Sequence, residues 1–251
     1  KKSRLILPNL LTLIGVCLGI SSIKFALDQN YSLAVIFLIF AAILDTLDGR
    51  IARLIKGTSE FGKELDSLTD FVSFGIAPAF ILYFWELKNY GKIGWAITLI
   101  FSICCVLRLA RFNLTKISEE DEWKRNYFEG IPSPAGAILI LLPLIYELSE
   151  FQFNLDVKKF TPYLVIIVAV LLISNIPTFS LKKIKVSSQL TIFLLFGIII
   201  IFVSLIFFTF KALLMLGLLY LTSIPASYFL HRRTSKKLSK ILKEEDHEDI
   251  L

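Results

Sequence analysis

This sequence predicts an all-α fold, a polytopic bundle of about eight transmembrane helices. Three observations carry the prediction. Hydrophobic residues make up 55% of the 251, and the mean hydropathy is +0.71, too apolar for an ordinary soluble domain. Several apolar runs reach the roughly 20 residues that cross a bilayer. Basic residues gather between alternate runs. With the N-terminus placed in the cytoplasm, 21 Lys and Arg fall on the inner side and 5 on the outer side. That asymmetry orients membrane proteins, and it calls for an even number of spans with both termini inside. The net charge of +6 therefore reads as membrane topology, with no nucleic-acid partner expected.

In chain order, the spans fall at about 8–27, 33–54, 66–86, 93–113, 134–149, 161–179, 189–208 and 211–230. Pro8 suits a helix start, where a missing N–H costs nothing. The first run lacks the short core and small-residue cleavage site of a signal peptide, so it is expected to stay as a span. The second run turns amphipathic at its end. The fifth is short and interrupted by Pro132, Pro134 and Pro143. The last two are joined so tightly that they should form an antiparallel hairpin. Cys17, Cys104 and Cys105 lie inside apolar runs without metal-ligand spacing and read as small buried residues. One membrane domain covers 1–230. The tail 231–251 is basic, then acidic, and reads as solvated.

One stretch carries the chemistry: DTLDGRIARLIKGTSEFGKELDSLTD, residues 45–70. It puts four carboxylates, Asp45, Asp48, Asp66 and Asp70, at the ends of two membrane helices. A carboxylate there costs about 2.5–3.5 kcal/mol on insertion scales and marks a functional site by default. Asp45 and Asp48 are three residues apart, and Asp66 and Asp70 four apart, so each pair shares a helix face. A short connection, about 55–61, makes the two helices antiparallel neighbours, so the faces can meet. Clustered carboxylate oxygens suit one or two Mg²⁺ or Mn²⁺ ions. Gly49 and Ala52 leave room for a ligand, and Arg53 can pair with a phosphate. Cations beside phosphate oxygens, with a spare carboxylate, make a phosphoryl-transfer site.

The spacing Asp45-x2-Asp48-Gly49-x2-Ala52-Arg53-x8-Gly62-x3-Asp66-x3-Asp70 resembles, without gap or substitution, the signature of the CDP-alcohol phosphatidyltransferases. The resemblance implies a core of six membrane helices, to which the C-terminal hairpin is added. It implies a dinuclear metal site and a CDP-linked lipid donor. Asp45, Asp48 and Asp66 would be metal ligands, with Asp66 bridging. Asp70 would bind the second metal and act as general base. Gly49, Ala52 and Arg53 would line the nucleotide pocket, and Gly62 would let the helices approach. Dimers, common in that family, are the implied assembly.

Further pieces resemble the integral-membrane phosphatidylserine synthases within that family: PNLLTLIGVCLGI (8–20), ELDSLTDFVSFGIAP (64–78), RLARFN (108–113) and FEGIPSPAGA (128–137). By this likeness Asn9 and Thr12 would face the cytidine. The implied substrates are CDP-diacylglycerol and L-serine, with phosphatidylserine and CMP as products. Serine brings a carboxylate, so its pocket needs a cation near the metals. Arg108 and Arg111, one turn apart at the inner end of the fourth span, are the candidates, with lipid-headgroup anchoring as the plain alternative. The nearest rival is the same chemistry with glycerol phosphate or inositol phosphate as acceptor, which would want more basic residues. A divalent-cation transporter is a rival of another class. It would give no reason for Gly49, Ala52 and Arg53 at fixed spacing.

Overall fold

A computed structural model describes residues 3–55, 59–114, 127–151, 156–174, 176–179 and 188–227. Eight helical rods run through them, at the positions of the eight predicted spans. They are α1 (Ser3–Leu27), α2 (Tyr31–Leu54), a rod over Glu60–Trp85, α5 (Gly91–Leu114), α6 (Ser133–Leu148), α7 (Val157–Ile173), α8 (Ser188–Phe207) and α9 (Thr209–Ser227). The third rod comprises α3 (Glu60–Asp70), a π-helical stretch (Phe71–Ile76) and α4 (Ala77–Trp85). Among the described residues, five rods are long and apolar enough to cross a membrane: α1, α2, the third rod, α5 with the 3₁₀ turn before it, and α9. Outward faces carry large apolar side chains such as Leu10, Leu13, Ile14, Ile100, Ile103 and Leu107, as lipid contact requires. These features suggest an integral membrane protein. The predicted tail 231–251 lies outside the described residues.

Helix ends explain the connections. α1 closes on a Schellman motif: Asn30 N–H donates to Phe25 O at 2.8 Å, and Gln29 N–H to Ala26 O at 3.1 Å. Gln29 takes the left-handed conformation this requires, with φ 61°. The Asn30 side chain then accepts from Leu33 N–H and starts α2. α1 and α2 therefore pack closely along their lengths. At the other end of α2, Ser59 caps α3 by accepting from Gly62 N–H at 3.0 Å.

Pro78 shapes the third rod. It has no N–H to give the carbonyl four residues back, and its ring crowds that carbonyl. The backbone widens, and Ala77 N–H bonds Val72 O, five residues back. Ser102 Oγ of α5 donates to Gly75 O at 3.2 Å. Neighbouring hydroxyls commonly satisfy such backbone groups in membranes. The π-helical stretch begins directly after Asp70 and packs on α1, α5 and α6.

α6 is the innermost helix. Leu139, Ile140, Leu141, Leu144 and Ile145 are all buried. Its prolines, which mark it as weak in the sequence, do not break it: Pro134 lies in its first turn and Pro143 is buried within the rod. A helix surrounded by others can be short, since it meets helices instead of lipid.

Several expectations need correction. α1 begins at Ser3, so Pro8 lies inside the helix and not at its start. The third rod begins at Glu60, six residues before the expected Asp66. α7 ends at Ile173, and residues 177–179 form a strand, β2, paired antiparallel with β1 (Tyr127–Glu129). This small ribbon links the connection before α6 to the one after α7. Cys17 is exposed on the outside of α1, while Cys104 and Cys105 are buried as expected. Residues 209–210, the expected hairpin connection, are helical: a single bent residue, Phe208, separates α8 from α9. Helical bonds from Phe208 N–H to Ser204 O and from Ala212 N–H to Phe208 O, both 2.8 Å, run through it in place of a hairpin loop.

Candidate active site

The carboxylates meet where α2 and α3 approach. Ligand oxygens of Asp45, Asp48 and Asp66 all lie within 4.8 Å of one another. Asp48 is buried, while Asp45 and Asp66 keep some exposure. Asp70, at the end of α3, comes within hydrogen-bond reach of Asp45. None of the four has an ion-pair partner among the described residues. An all-oxygen set of this density, without an ion-paired Lys or Arg among the described residues, fits a hard divalent cation.

The flanking residues divide into two groups. Around α2, Gly49 faces open space: a Cβ there would meet nothing within 4 Å. Ala52 sits one turn on, half-buried. Arg53 is exposed and within electrostatic reach of Asp66. On the α1 side the approach is close. A Cβ on Gly62 would lie 3.1 Å from both Asn9 Oδ1 and Ser59 Oγ. Gly62 thus lets the start of α1 settle against α3.

Thr12 has a more specific task than its position in the sequence suggests. Its hydroxyl lies 2.5 Å from Asp48 Oδ2 and 3.0 Å from the Pro8 carbonyl of its own helix. The hydroxyl is buried, and its single proton is shared between two acceptors. Thr12 therefore orients a carboxylate of the cluster. The close approach of α1 permits this. A Cβ on Gly19 would fall 2.6 Å from Ser73 Oγ and 3.0 Å from Ser73 Cα, in the π-helical stretch.

The two arginines part company. Arg108 is buried, within electrostatic reach of Asp70, and its Nη1 donates to Ser133 Oγ at 2.8 Å. Arg111 instead reaches the end of α7. It donates to Ile173 O at 2.7 Å and to Ser174 O at 3.2 Å, carbonyls that the helix leaves open. Asn113, on the same helix, donates to Ser67 Oγ at 2.9 Å and ties α5 to α3. Ser133 and Asn113 were not singled out as site residues in the sequence. Only their place within FEGIPSPAGA and RLARFN pointed to them.

The class that fold and site define is an integral-membrane helical bundle with a carboxylate-lined centre at one end of its helices. The chain belongs to the CDP-alcohol phosphatidyltransferase family, whose model matches residues 5–174. It is 38% identical over 200 residues to a Helicobacter pylori protein named CDP-diacylglycerol–serine O-phosphatidyltransferase, covering 80% of this chain and 81% of that one. A Mycobacterium leprae protein of the same name is 40% identical over 185 residues, which is 72% of this chain and 60% of the relative. A Methanocaldococcus jannaschii protein, again so named, is 37% identical over 135 residues, or 54% and 58%. The family depends on divalent metal in general, and the aspartate triad is in keeping with that.

Proposed function

We propose that this protein transfers a phosphatidyl group from CDP-diacylglycerol to the hydroxyl of L-serine, giving phosphatidylserine and CMP. The observation that carries the reading is the convergence of Asp45, Asp48, Asp66 and Asp70 from two helices beside the open face of Gly49. The names of relatives at 36–40% identity support the substrate pair. The active centre is at the cytoplasmic face with both termini on that side, a reading supported by the distribution of basic residues.

Asp45, Asp48 and Asp66 would hold the metal, with Asp70 completing a second position. When bound, two Mg²⁺ or Mn²⁺ ions would supply charge neutralisation for the diphosphate and the departing CMP. The residues then have separate tasks. Thr12 holds Asp48 in orientation. Asn9, Gly49, Ala52 and Arg53 form the side open to the nucleotide, where no bulk keeps the diphosphate from the backbone. Gly62 keeps α1 and α3 close enough for Asn9 to take part. Asp70 takes the proton of the acceptor hydroxyl as its oxygen bonds the lipid-side phosphorus and the bond to CMP breaks. The apolar faces of the rods leave the lipid tails to enter sideways from the bilayer.

Acceptors bearing a dianionic phosphate are a weaker fit. Of the two candidate cations, Arg111 is spent on the α7 carbonyls, which leaves Arg108 at the centre. The test is CMP release from CDP-diacylglycerol by the purified chain with serine, glycerol phosphate or inositol phosphate. Serine should be turned over fastest. Faster turnover of a phosphorylated acceptor would replace this reading.

A further inference from the structure

Arg108 is buried to nine-tenths, and its Nε has no hydrogen-bond partner. Burying a cationic donor without a partner is costly, and proteins seldom do it without a use. Its Nη1 bond to Ser133 Oγ fixes the guanidinium against the first residue of α6. No side chain caps this 16-residue helix at its N-terminus, and Pro132 precedes it. Gly136 N–H is satisfied by Pro132 O at 2.9 Å. The positive end of the helix dipole therefore lies beside an incompletely paired guanidinium and a hydroxyl. Asp70 is within electrostatic reach of Arg108, yet no ion pair joins them among the described residues.

We infer that Arg108, through its unpaired Nε edge, and Ser133, at the N-terminus of α6, together hold the carboxylate of the amino-acid acceptor. The inference rests on serine being that acceptor. The Nε edge of a guanidinium is one of its forks for two-point carboxylate binding. In serine the carboxylate and the hydroxyl-bearing carbon share one neighbour, so a carboxylate anchored at Arg108 leaves the hydroxyl close by, on the side of Asp70. Ser133 accepts from Arg108 and also lies against the Cys105 thiol, so a carboxylate arriving at the guanidinium would compete with that thiol for the Ser133 proton. Arg111 has no part in this clamp.

L-Serinamide keeps the hydroxyl and the ammonium of serine but lacks the carboxylate. With saturating CDP-diacylglycerol and the full chain in lipid vesicles, kcat/KM from CMP release should favour serine over serinamide by about 10–100-fold. Arg108→Gln should lose most of that preference, chiefly through a raised KM for serine, while the KM for CDP-diacylglycerol shifts by less than about 3-fold. Ser133→Ala should lower the preference about 3–10-fold, and it decides the question if Arg108→Gln does not fold. Arg111→Gln should keep the ratio. Equal loss for both acceptors in Arg108→Gln, or in Ser133→Ala where only that variant folds, would overturn the clamp. So would loss of the ratio in Arg111→Gln. A raised KM for CDP-diacylglycerol in Arg108→Gln would assign the guanidinium to the donor diphosphate instead. If the unaltered chain releases CMP with another alcohol and not with serine, the functional reading fails before any variant is made.

Discussion

At the scale of single residues, the carboxylates of the site do not carry equal roles. Asp45, Asp48 and Asp66 form the tight triad, and Asp70 joins it within hydrogen-bond reach of Asp45 and electrostatic reach of Asp66. Asp70 is also the carboxylate on which Arg108 acts. Asp70→Asn keeps the size of the side chain and removes the base. Its kcat should fall about 10²–10⁴-fold while a binding assay still detects CDP-diacylglycerol. Loss of lipid binding in step with rate would make Asp70 a structural ligand only. Thr12 permits a second test, because it touches the triad through Asp48 Oδ2 and not through the substrate. Partners of metal ligands are worth about 10–100-fold in metal affinity. Thr12→Ala should raise the Mg²⁺ concentration for half-maximal CMP release by that order, and Thr12→Ser, which restores the hydroxyl, should recover most of it. An unchanged Mg²⁺ requirement in Thr12→Ala would return Thr12 to the nucleotide pocket.

At the scale of elements, the site depends on three close approaches. α2 and α3 bring the aspartates together, α1 supplies Thr12 and Asn9, and α5 supplies Arg108 next to α6. Helices in a bilayer gain little from burying apolar surface against each other, so contact between them relies on packing and small residues. Gly19 is such a contact, facing Ser73 in the π-helical stretch. Gly19→Ala should push α1 away from that stretch. Overpacking of this kind costs about 1–3 kcal/mol. The melting temperature in detergent should drop by a few degrees, with kcat/KM falling as the Thr12–Asp48 pair loosens. A variant with normal melting and normal turnover would show that α1 has slack at this point.

At the scale of the whole molecule, charge is distributed in a polar pattern. The aspartate cluster, the start of α1, the end of α5 and the start of α6 share one end of the bundle. At the opposite end, Lys24 pairs with Asp28, and Lys158 pairs with Glu147 at 3.3 Å while resting over the Trp85 ring. Those surface pairs contribute little to stability. At the inner end no ion pair joins the carboxylates among the described residues, and Arg53 and Arg108 are only within electrostatic reach, so much of the charge balance is left to a ligand. EDTA should abolish CMP release, and Mg²⁺ or Mn²⁺ should restore it. Full activity in excess chelator would sink the metal reading. Chelation should leave the helical content by circular dichroism nearly unchanged, because lipid-facing rods such as α1 and α5 do not depend on the cluster.

Membrane helices leave a strong trace in sequence, because each must be apolar for its whole length and charged only at its ends. The places of the rods among the described residues were therefore legible, as was the meeting of Asp45, Asp48 and Asp66, since residues three and four apart share a helix face and a short connection forces neighbours together. Contacts that join distant parts of the chain leave no such trace. The bond from Thr12 to Asp48 spans 36 positions, and that from Arg111 to Ile173 spans 62. Two arginines three residues apart looked equivalent until packing sent one to the start of α6 and the other to the end of α7. The π-helical turn after Asp70 and the ribbon of β1 and β2 were likewise decided by tertiary structure. A proline's lost bond can be made good in several ways, and three-residue strands carry too little pattern to read. Local periodicity determined which residues could form the carboxylate centre. Which cation would stand beside it was decided by how the helices pack.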